Sequence, residues 1–305
     1  MRIAIGPSSF AEKDSTPLQL LEQASVDIIP NPYGRRLSQQ EIIPHLEHAD
    51  GLIAGLEPLN RDVLESARKL KAIARVGIGM DNVDQTAAAE LAIKVSNTPE
   101  GPTEAVAEMC LTSLLALKRR LPAFNTDLHQ GVWQKRIGKG LKDSNVLMIG
   151  YGRIGRRFGE HLRYFRTHLL ICDPVLKPSD LAEDETLVSM SEGLRLADVI
   201  SLHASGSDLI LGPAEFLKMK PGVIILNSAR GSLIDETALM RSVKNNTVSG
   251  AWLDVFSDEP YHGPLTELSQ VLLTPHISTY TLQCRRSMEE TAVRNLLRDL
   301  NIQMD

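Results

Sequence analysis

Aromatic side chains make up only 4% of this 305-residue chain, and cysteine occurs three times. Cys110, Cys172 and Cys284 lie far apart and form no Cys-x-x-Cys pair, which excludes a disulfide scaffold and a cysteine-based zinc site. They are expected to be reduced packing residues, and no metal is expected. An excess of basic charge is also missing, since 33 Lys and Arg against 38 Asp and Glu leave a formal net charge of −5. Without a basic surface interleaved with stacking aromatics, nucleic acid is not an expected partner. Long apolar runs are absent too: the longest nearly uncharged stretch, 109–117, is far too short to span a bilayer, so no membrane partner is expected. The opening Met1-Arg2-Ile3-Ala4-Ile5-Gly6 reads as a strand entering a glycine turn rather than a secretion signal, and the expected location is cytoplasmic.

What remains is an ordinary globular composition, 43% hydrophobic and 23% charged, at a length that exceeds what one hydrophobic core usually serves. Short β-branched or apolar runs alternate with segments of helical period, the pattern of parallel α/β architecture. Strands are expected at Arg2–Ile5, 26–29, Gly51–Ala54, 72–76 and Lys94–Ser96, with crossover helices at 41–48 and 62–70. A long helical pattern at 103–123 has the reach to bridge two domains. A second series follows with strands at 146–149, His168–Cys172, 199–203, Val223–Asn227 and 249–253, and a last helix at 282–300.

The sharpest signal lies at the start of that second series. Val146-Leu-Met-Ile149 runs straight into Gly150-Tyr-Gly152-Arg-Ile-Gly155, a Gly-x-Gly-x-x-Gly between a strand and a helix. Such glycines allow a tight turn, a close approach to a pyrophosphate and close helix–strand packing, and the helix N-terminus supplies amide donors. Asp173 closes the next strand, where a carboxylate receives ribose hydroxyls. It favours NAD over NADP, because it repels a 2′-phosphate and no arginine follows it.

The chemistry is expected downstream. Arg230, in Asn227-Ser-Ala-Arg-Gly231, follows a strand, and its planar fork suits a carboxylate. Glu259 and His276, in Asp-Glu-Pro260 and Thr274-Pro-His-Ile277, each stand just beyond an apolar run. An imidazole exchanges protons near neutral pH, and a carboxylate beside it fixes its tautomer. Taken singly, Arg230 reads as a surface ion pair, Glu259 as a solvated loop charge and His276 as a satisfied loop residue; together they suit carbonyl reduction.

Several ordered motifs carry a resemblance that covers nearly the whole chain. They are Ala74-Arg-Val-Gly-Ile-Gly-Met-Asp-Asn-Val-Asp84, Val106-Ala-Glu108, the glycine motif, Met219-Lys-Pro-Gly222, Asn227-Ser-Ala-Arg-Gly231, Leu253-Asp-Val-Phe256 with Glu259-Pro260, and Thr274-Pro-His-Ile277. In these the chain resembles the D-2-hydroxyacid dehydrogenases, and more closely their phosphoglycerate dehydrogenase-like branch. The resemblance implies two doubly wound parallel-sheet domains: a Rossmann-like NAD domain at 99–277 and a discontinuous flavodoxin-like substrate domain at 1–98 and 278–305. It implies that Arg230 binds the substrate carboxylate and carbonyl, that His276 is the acid/base and that Glu259 pairs with it. Val76, Gly77, Ile78 and Gly79 would hold the substrate carboxylate through backbone amides. Arg153 and Ile154 would meet the cofactor phosphates, Asp173 the adenosine ribose, Ser228, Arg230 and Asp254 the nicotinamide end, and Thr103 would lie near the cofactor. A homodimer through the NAD domain is also implied.

Three departures bear on substrate and cofactor. Phosphoglycerate dehydrogenases carry Arg-Ser after the third strand, where this chain has Gly55-Leu56-Glu57-Pro58, which weakens the case for 3-phosphoglycerate. The family's Leu-His-x-Pro-x-Thr becomes Leu202-His-Ala-Ser-Gly-Ser207, and Pro102 replaces an expected asparagine. The expected activity is hydride transfer between NAD and a D-2-hydroxy or 2-keto acid, with an NADH-sensing corepressor-type binding protein as the alternative.

Overall fold

A computed structural model describes residues 1–303. The chain divides into two compact units, Met1–Pro102 with the segment from Tyr280 onward, and Thr103–Thr279. The first unit contains β1 (Arg2–Ile5), α1 (Thr16–Gln23), β2 (Asp27–Ile29), α2 (Gln39–Leu46), β3 (Gly51–Ala54), α3 (Arg61–Ser66), β4 (Ala72–Arg75), α4 (Gln85–Glu90) and β5 (Lys94–Ser96). The chain continues through α5 (Pro102–Lys118), α6 (Leu121–His129), β6 (Asn145–Ile149), α7 (Arg153–Arg163), β7 (His168–Cys172), β8 (Glu185–Leu187) and α8 (Met190–Leu196). The second series ends with β9 (Val199–Leu202), α9 (Pro213–Phe216), β10 (Val223–Asn227), α10 (Glu236–Lys244), β11 (Val248–Leu253) and β12 (Val271–Leu273). Finally α11 (Leu282–Asp299) returns to the first unit.

Both sheets are wholly parallel. In the first unit the order is β2-β1-β3-β4-β5, and in the second β12-β11-β10-β9-β6-β7-β8. The chain reverses its direction of growth between β6 and β9, which opens the crevice where α/β sheets bind ligands. Side-chain alternation explains why the sheets are covered on both faces. On β6, Leu147 and Ile149 enter one core while Val146 and Met148 enter the opposite one. β10 does the same with Val223 and Ile225 against Ile224 and Leu226. Each such fully buried aliphatic side chain is worth roughly 1.5–3 kcal/mol, so a shift of register by one residue would forfeit both cores at once. In the first unit Ala4, Leu52, Ala54 and Ile73 pack under α2, α3 and α4, and α11 lies against β3, β4, β5 and α1.

Helix starts follow local chemistry: Asn60, Asp84, Ser189 and Asp235 each accept a backbone N–H in the first turn of α3, α4, α8 and α10. The expected single helix over 103–123 is two helices. α5 stops at Lys118, Arg120 turns into the left-handed region at φ 55°, and α6 restarts with Pro122 in its first turn. The apolar period runs through the break, which is why periodicity alone joined them. Among the described residues no helix is long and apolar enough to cross a membrane.

β9 leads into His203, whose imidazole hydrogen-bonds Ser201 (Nε2–Oγ 2.8 Å) and packs on Phe158 with ring centroids 5.7 Å apart. Burial pushes it down to about 4 from an ordinary 6.5. The unfolded chain therefore binds the extra proton first, and stability present above about 6.5 is lost as pH falls toward about 4. The full loss is on the order of 3 kcal/mol. Urea titrations at a series of pH values should show a steeper acid decline for the parent than for His203→Gln; parallel curves would remove His203 as the source.

Candidate active site

The ends of β6, β7, β9, β10, β11 and β12 form one edge of the seven-stranded sheet, and the residues singled out in this unit sit along it. At the crevice, Gly150 N donates to Cys172 O (2.9 Å) and His203 N to Ile149 O (2.7 Å), so the glycine loop is seated against the ends of β7 and β9. Gly150 has φ 84°, and a Cβ there would fall 2.6 Å from Ala204 N. At Gly155 a Cβ would lie 2.9 Å from Gly150 O, so loop and α7 can touch only without one. Gly152 is exposed, with nothing within 4 Å of where its Cβ would stand, and it opens α7 without a side-chain cap. Arg153 is exposed and Ile154 partly buried beside it. Asp173 accepts from Tyr151 N (2.8 Å) through Oδ2 and from Val175 N (3.0 Å) through Oδ1, which ties the carboxylate to the loop. Open space above Gly152, uncapped helix amides and a carboxylate closing β7 fit the pyrophosphate and ribose of a dinucleotide.

Tyr151, inside the motif, has a role that its position did not announce. Its hydroxyl donates to Glu185 of β8, Arg163 pairs with the same carboxylate (2.6 Å) and with Asp184 (2.9 Å), and the Arg156 guanidinium lies 5.0 Å from the ring centre. Burial and the Glu185 carboxylate push the phenol up, so it remains a donor. The loop is thereby pinned to the far edge of the sheet.

The second group gathers around one buried carboxylate. Asn227, at the end of β10, accepts from Ala229 N (3.0 Å) and donates to Arg230 O (2.8 Å), folding Ser228–Arg230 into a tight turn. Ser228 Oγ faces Cys110 Sγ of α5 at 3.5 Å, and burial pushes that thiol up to about 12. Thr103 stands in the first turn of α5. Gly231 leaves no room for a Cβ against the Phe256 backbone, so the turn carrying Arg230 passes directly beside the loop that carries Glu259. Asp254, 1% exposed, accepts from Thr274 Oγ1 (2.6 Å), Ile277 N (2.9 Å), Ser278 N (2.8 Å) and Ser278 Oγ (2.5 Å). Trp252 Nε1 donates to Thr274 Oγ1 (2.9 Å). These bonds hold His276 at φ 55° with its Nδ1 3.0 Å from Glu259 Oε2, while Glu259 Oε1 accepts from Phe256 N (3.1 Å). With Nδ1 engaged by the carboxylate, Nε2 is the ring nitrogen that remains for another partner.

In the first unit, the loop after β4 holds Val76, Gly77, Ile78 and Gly79. Val76 N donates to Ala54 O (2.8 Å) and Gly77 N to Thr98 Oγ1 (2.7 Å), so these two amides of the loop are already engaged within the unit. Asn97 Nδ2 holds Ile78 O (2.8 Å). Among the described residues no group of three or more His, Cys, Asp or Glu is arranged to hold a metal.

A doubly wound sheet with an open dinucleotide loop and a carboxylate–imidazole pair along one edge defines a nicotinamide-dinucleotide oxidoreductase. The family description "D-isomer specific 2-hydroxyacid dehydrogenase, NAD binding domain" matches residues 111–278. The hydroxypyruvate reductase of Thermotoga maritima is 32% identical over 301 residues, covering 95% of this chain and 96% of that one. The glyoxylate reductase of Thermococcus litoralis is 32% identical over 273 residues, 84% of this chain and 82% of its own. A solved structure from Thermus thermophilus superimposes with a TM-score of 0.90 at 31% identity, covering 99% of this chain and 97% of that one. The chain spans about half the length of the D-3-phosphoglycerate dehydrogenases that it also matches. It belongs to the D-isomer specific 2-hydroxyacid dehydrogenase family and is an NAD-dependent oxidoreductase. The corepressor-type alternative gains no support from these comparisons.

Asp254→Asn keeps the shape but turns one acceptor into a donor facing donors. It should cost about 2–3 kcal/mol of stability and lower turnover at least tenfold, on the order expected when an acid/base group is misplaced. Calorimetry and NADH oxidation test this; an unchanged Tm would mean that the carboxylate does not hold the 274–278 segment.

Proposed function

We propose that the enzyme interconverts a small, unphosphorylated 2-keto acid and its D-2-hydroxy acid, with NAD(H) as the hydride carrier. The observation that carries the reading is the 3.0 Å contact between His276 and Glu259 on the sheet edge that also bears the dinucleotide loop. When bound, NAD supplies the hydride acceptor or donor. His276, oriented by Glu259, is assigned the proton at the substrate oxygen, given in reduction and taken in oxidation. Arg230 is assigned the substrate carboxylate and carbonyl, and the amides after β4 the carboxylate as well. Arg153, Ile154 and the glycines are assigned the cofactor phosphates, Asp173 the adenosine ribose, and Thr103, Ser228, Arg230 and Asp254 the nicotinamide end. Residues 99–277 are assigned to the NAD domain and 1–98 with 278–305 to the substrate domain.

Gly55 and Leu56 after β3 offer no cation for a phosphate, and the glyoxylate and hydroxypyruvate reductases match most of the chain. Both points favour an unphosphorylated substrate. We also assign a homodimer through the NAD unit, since Leu121, Leu128, Trp133 and Ile137 expose large apolar side chains along α6 and the segment after it. A cytoplasmic location fits its three free cysteines, and the acidic net charge fits neither nucleic acid nor a membrane surface.

A keto-acid screen with NADH tests the assignment. Glyoxylate, hydroxypyruvate or pyruvate should be reduced at least tenfold faster than 3-phosphohydroxypyruvate, on the order expected for an anion lacking its partner. Tight NADH binding with no turnover of any keto acid would refute it. Arg230→Lys keeps the charge but loses the fork, and should lower kcat/KM about a hundredfold or more with little change in NADH affinity. His276→Ala should nearly abolish both directions, a loss of about 10²–10⁴. Unaltered turnover in either variant would remove that residue from the chemistry.

NADH should be preferred over NADPH, and Asp173→Ala should narrow the ratio by relieving repulsion of a 2′-phosphate. Equal use of both cofactors by the parent would count against the ribose role of Asp173.

A further inference from the structure

Tyr151 stands between the first two glycines of the dinucleotide loop, yet it is only 2% exposed. Two glycines of α7 make this possible. The ring lies under the helix, with Cδ2 3.3 Å from where a Cβ of Gly155 would stand and the hydroxyl 2.7 Å from that of Gly159, one helical turn further on the same face. The hydroxyl passes beneath α7 and donates to Glu185, the first residue of β8. Glu185, its side chain 3% exposed, is itself held on both oxygens: Oε1 accepts from Arg163 Nη2 (2.6 Å) and Oε2 from Ala182 N (3.0 Å). Arg163 Nε is in turn fixed by Asp184 (2.9 Å). The backbone of Tyr151 meets a second carboxylate, for its N–H donates to Asp173 Oδ2 (2.8 Å). One residue thus ties Asp173, just beyond β7, to a braced carboxylate on β8.

We propose that Tyr151 is a positioning residue for cofactor choice: its hydroxyl, anchored on Glu185, holds the loop amide that orients the Asp173 carboxylate, and through it the discrimination between a ribose 2′-hydroxyl and a 2′-phosphate. This rests on the reading of Asp173 as the ribose ligand. Packing alone would be met by an apolar side chain in the same space, whereas the phenol takes a carboxylate out of water with it, at a cost in desolvation. What the polar contact adds is direction, since a hydrogen bond weakens steeply when its donor turns away and an apolar contact does not. Direction is what Asp173 requires. Each of its oxygens already accepts one backbone N–H, from Tyr151 and from Val175, so the lone pairs left for a ribose point where those two amides set them.

Tyr151→Phe removes the hydroxyl and keeps the ring. It should raise the Kd of NADH roughly fivefold, about the worth of one hydrogen bond. NADPH should be weakened less, because a carboxylate held less firmly repels a 2′-phosphate less, and the preference for NADH should narrow by about threefold. At saturating NADH, kcat and the KM for the keto acid should stay within about twofold of the parent. Glu185→Ala should reproduce the pattern, and the double variant should be no worse than either single, because both remove one coupled element. Fluorescence titration with each reduced cofactor reads the affinities, and keto-acid reduction reads the kinetics. Unchanged NADH affinity and cofactor preference in Tyr151→Phe, whatever its Tm, or losses that multiply in the double variant, would overturn the role. A parent that binds NADH and NADPH equally would instead overturn the ribose reading of Asp173.

Discussion

The site in the NAD unit depends on the side chain of Asp254. A carboxylate taken out of water is costly unless its lone pairs are met, and here four donors meet them, all from residues 274–278. Hydrogen bonds to a charged acceptor are worth about 1.5–3 kcal/mol each. Holding a non-glycine residue in the left-handed region costs about 1–2 kcal/mol. The balance favours the folded loop, and His276 takes a backbone conformation that it would not adopt alone. Asp254 N also donates to Asn227 O (2.9 Å), so the turn with Arg230 and the loop with His276 share one anchor.

Why these groups lie on one edge follows from the sheet. Parallel strands with both faces buried leave only their ends for polar chemistry, and each crossover returns the chain to start the next strand in the same direction. β6, β7, β9, β10, β11 and β12 therefore deliver the glycine loop, Asp173, His203, Arg230, Asp254 and His276 to the same edge. Gly150 and Gly231 set how close neighbouring turns come, since a Cβ at either would strike the adjacent backbone. The apolar alternation of β6 and β10 and the reach of the site are consequences of one register.

Much of this was legible in the sequence because it is local. The strands are short apolar runs, the glycine spacing names its own turn, and Arg230, Glu259 and His276 each stand just past an apolar run. The strand β8 was not legible, since Glu185-Thr-Leu187 offers a single apolar residue, and β12 showed only as an apolar run before His276. The Tyr151–Glu185–Arg163 strut joins positions 34 apart in the chain, and only the pairing of β7 with β8 brings them together. Asp254 was expected near the nicotinamide; its grip on residues 274–278 depends on β11 lying beside β12 and had no local mark.

The two histidines of the edge show how surroundings divide labour between identical side chains. His203 follows β9 with its ring closed against Phe158 and Ser201, and burial holds it neutral down to about pH 4. It can support the glycine loop without bringing to it a cation or a titration near neutral pH. His276 follows β12 with 38% of its side chain open and a carboxylate at Nδ1. Solvent reaches this ring, and the carboxylate at Nδ1 fixes its orientation. A histidine kept open to solvent therefore stands in a loop rather than at a strand end packed by the core, and such a loop needs an anchor of its own. Asp254 supplies it, so the burial of one carboxylate permits the exposure of one imidazole.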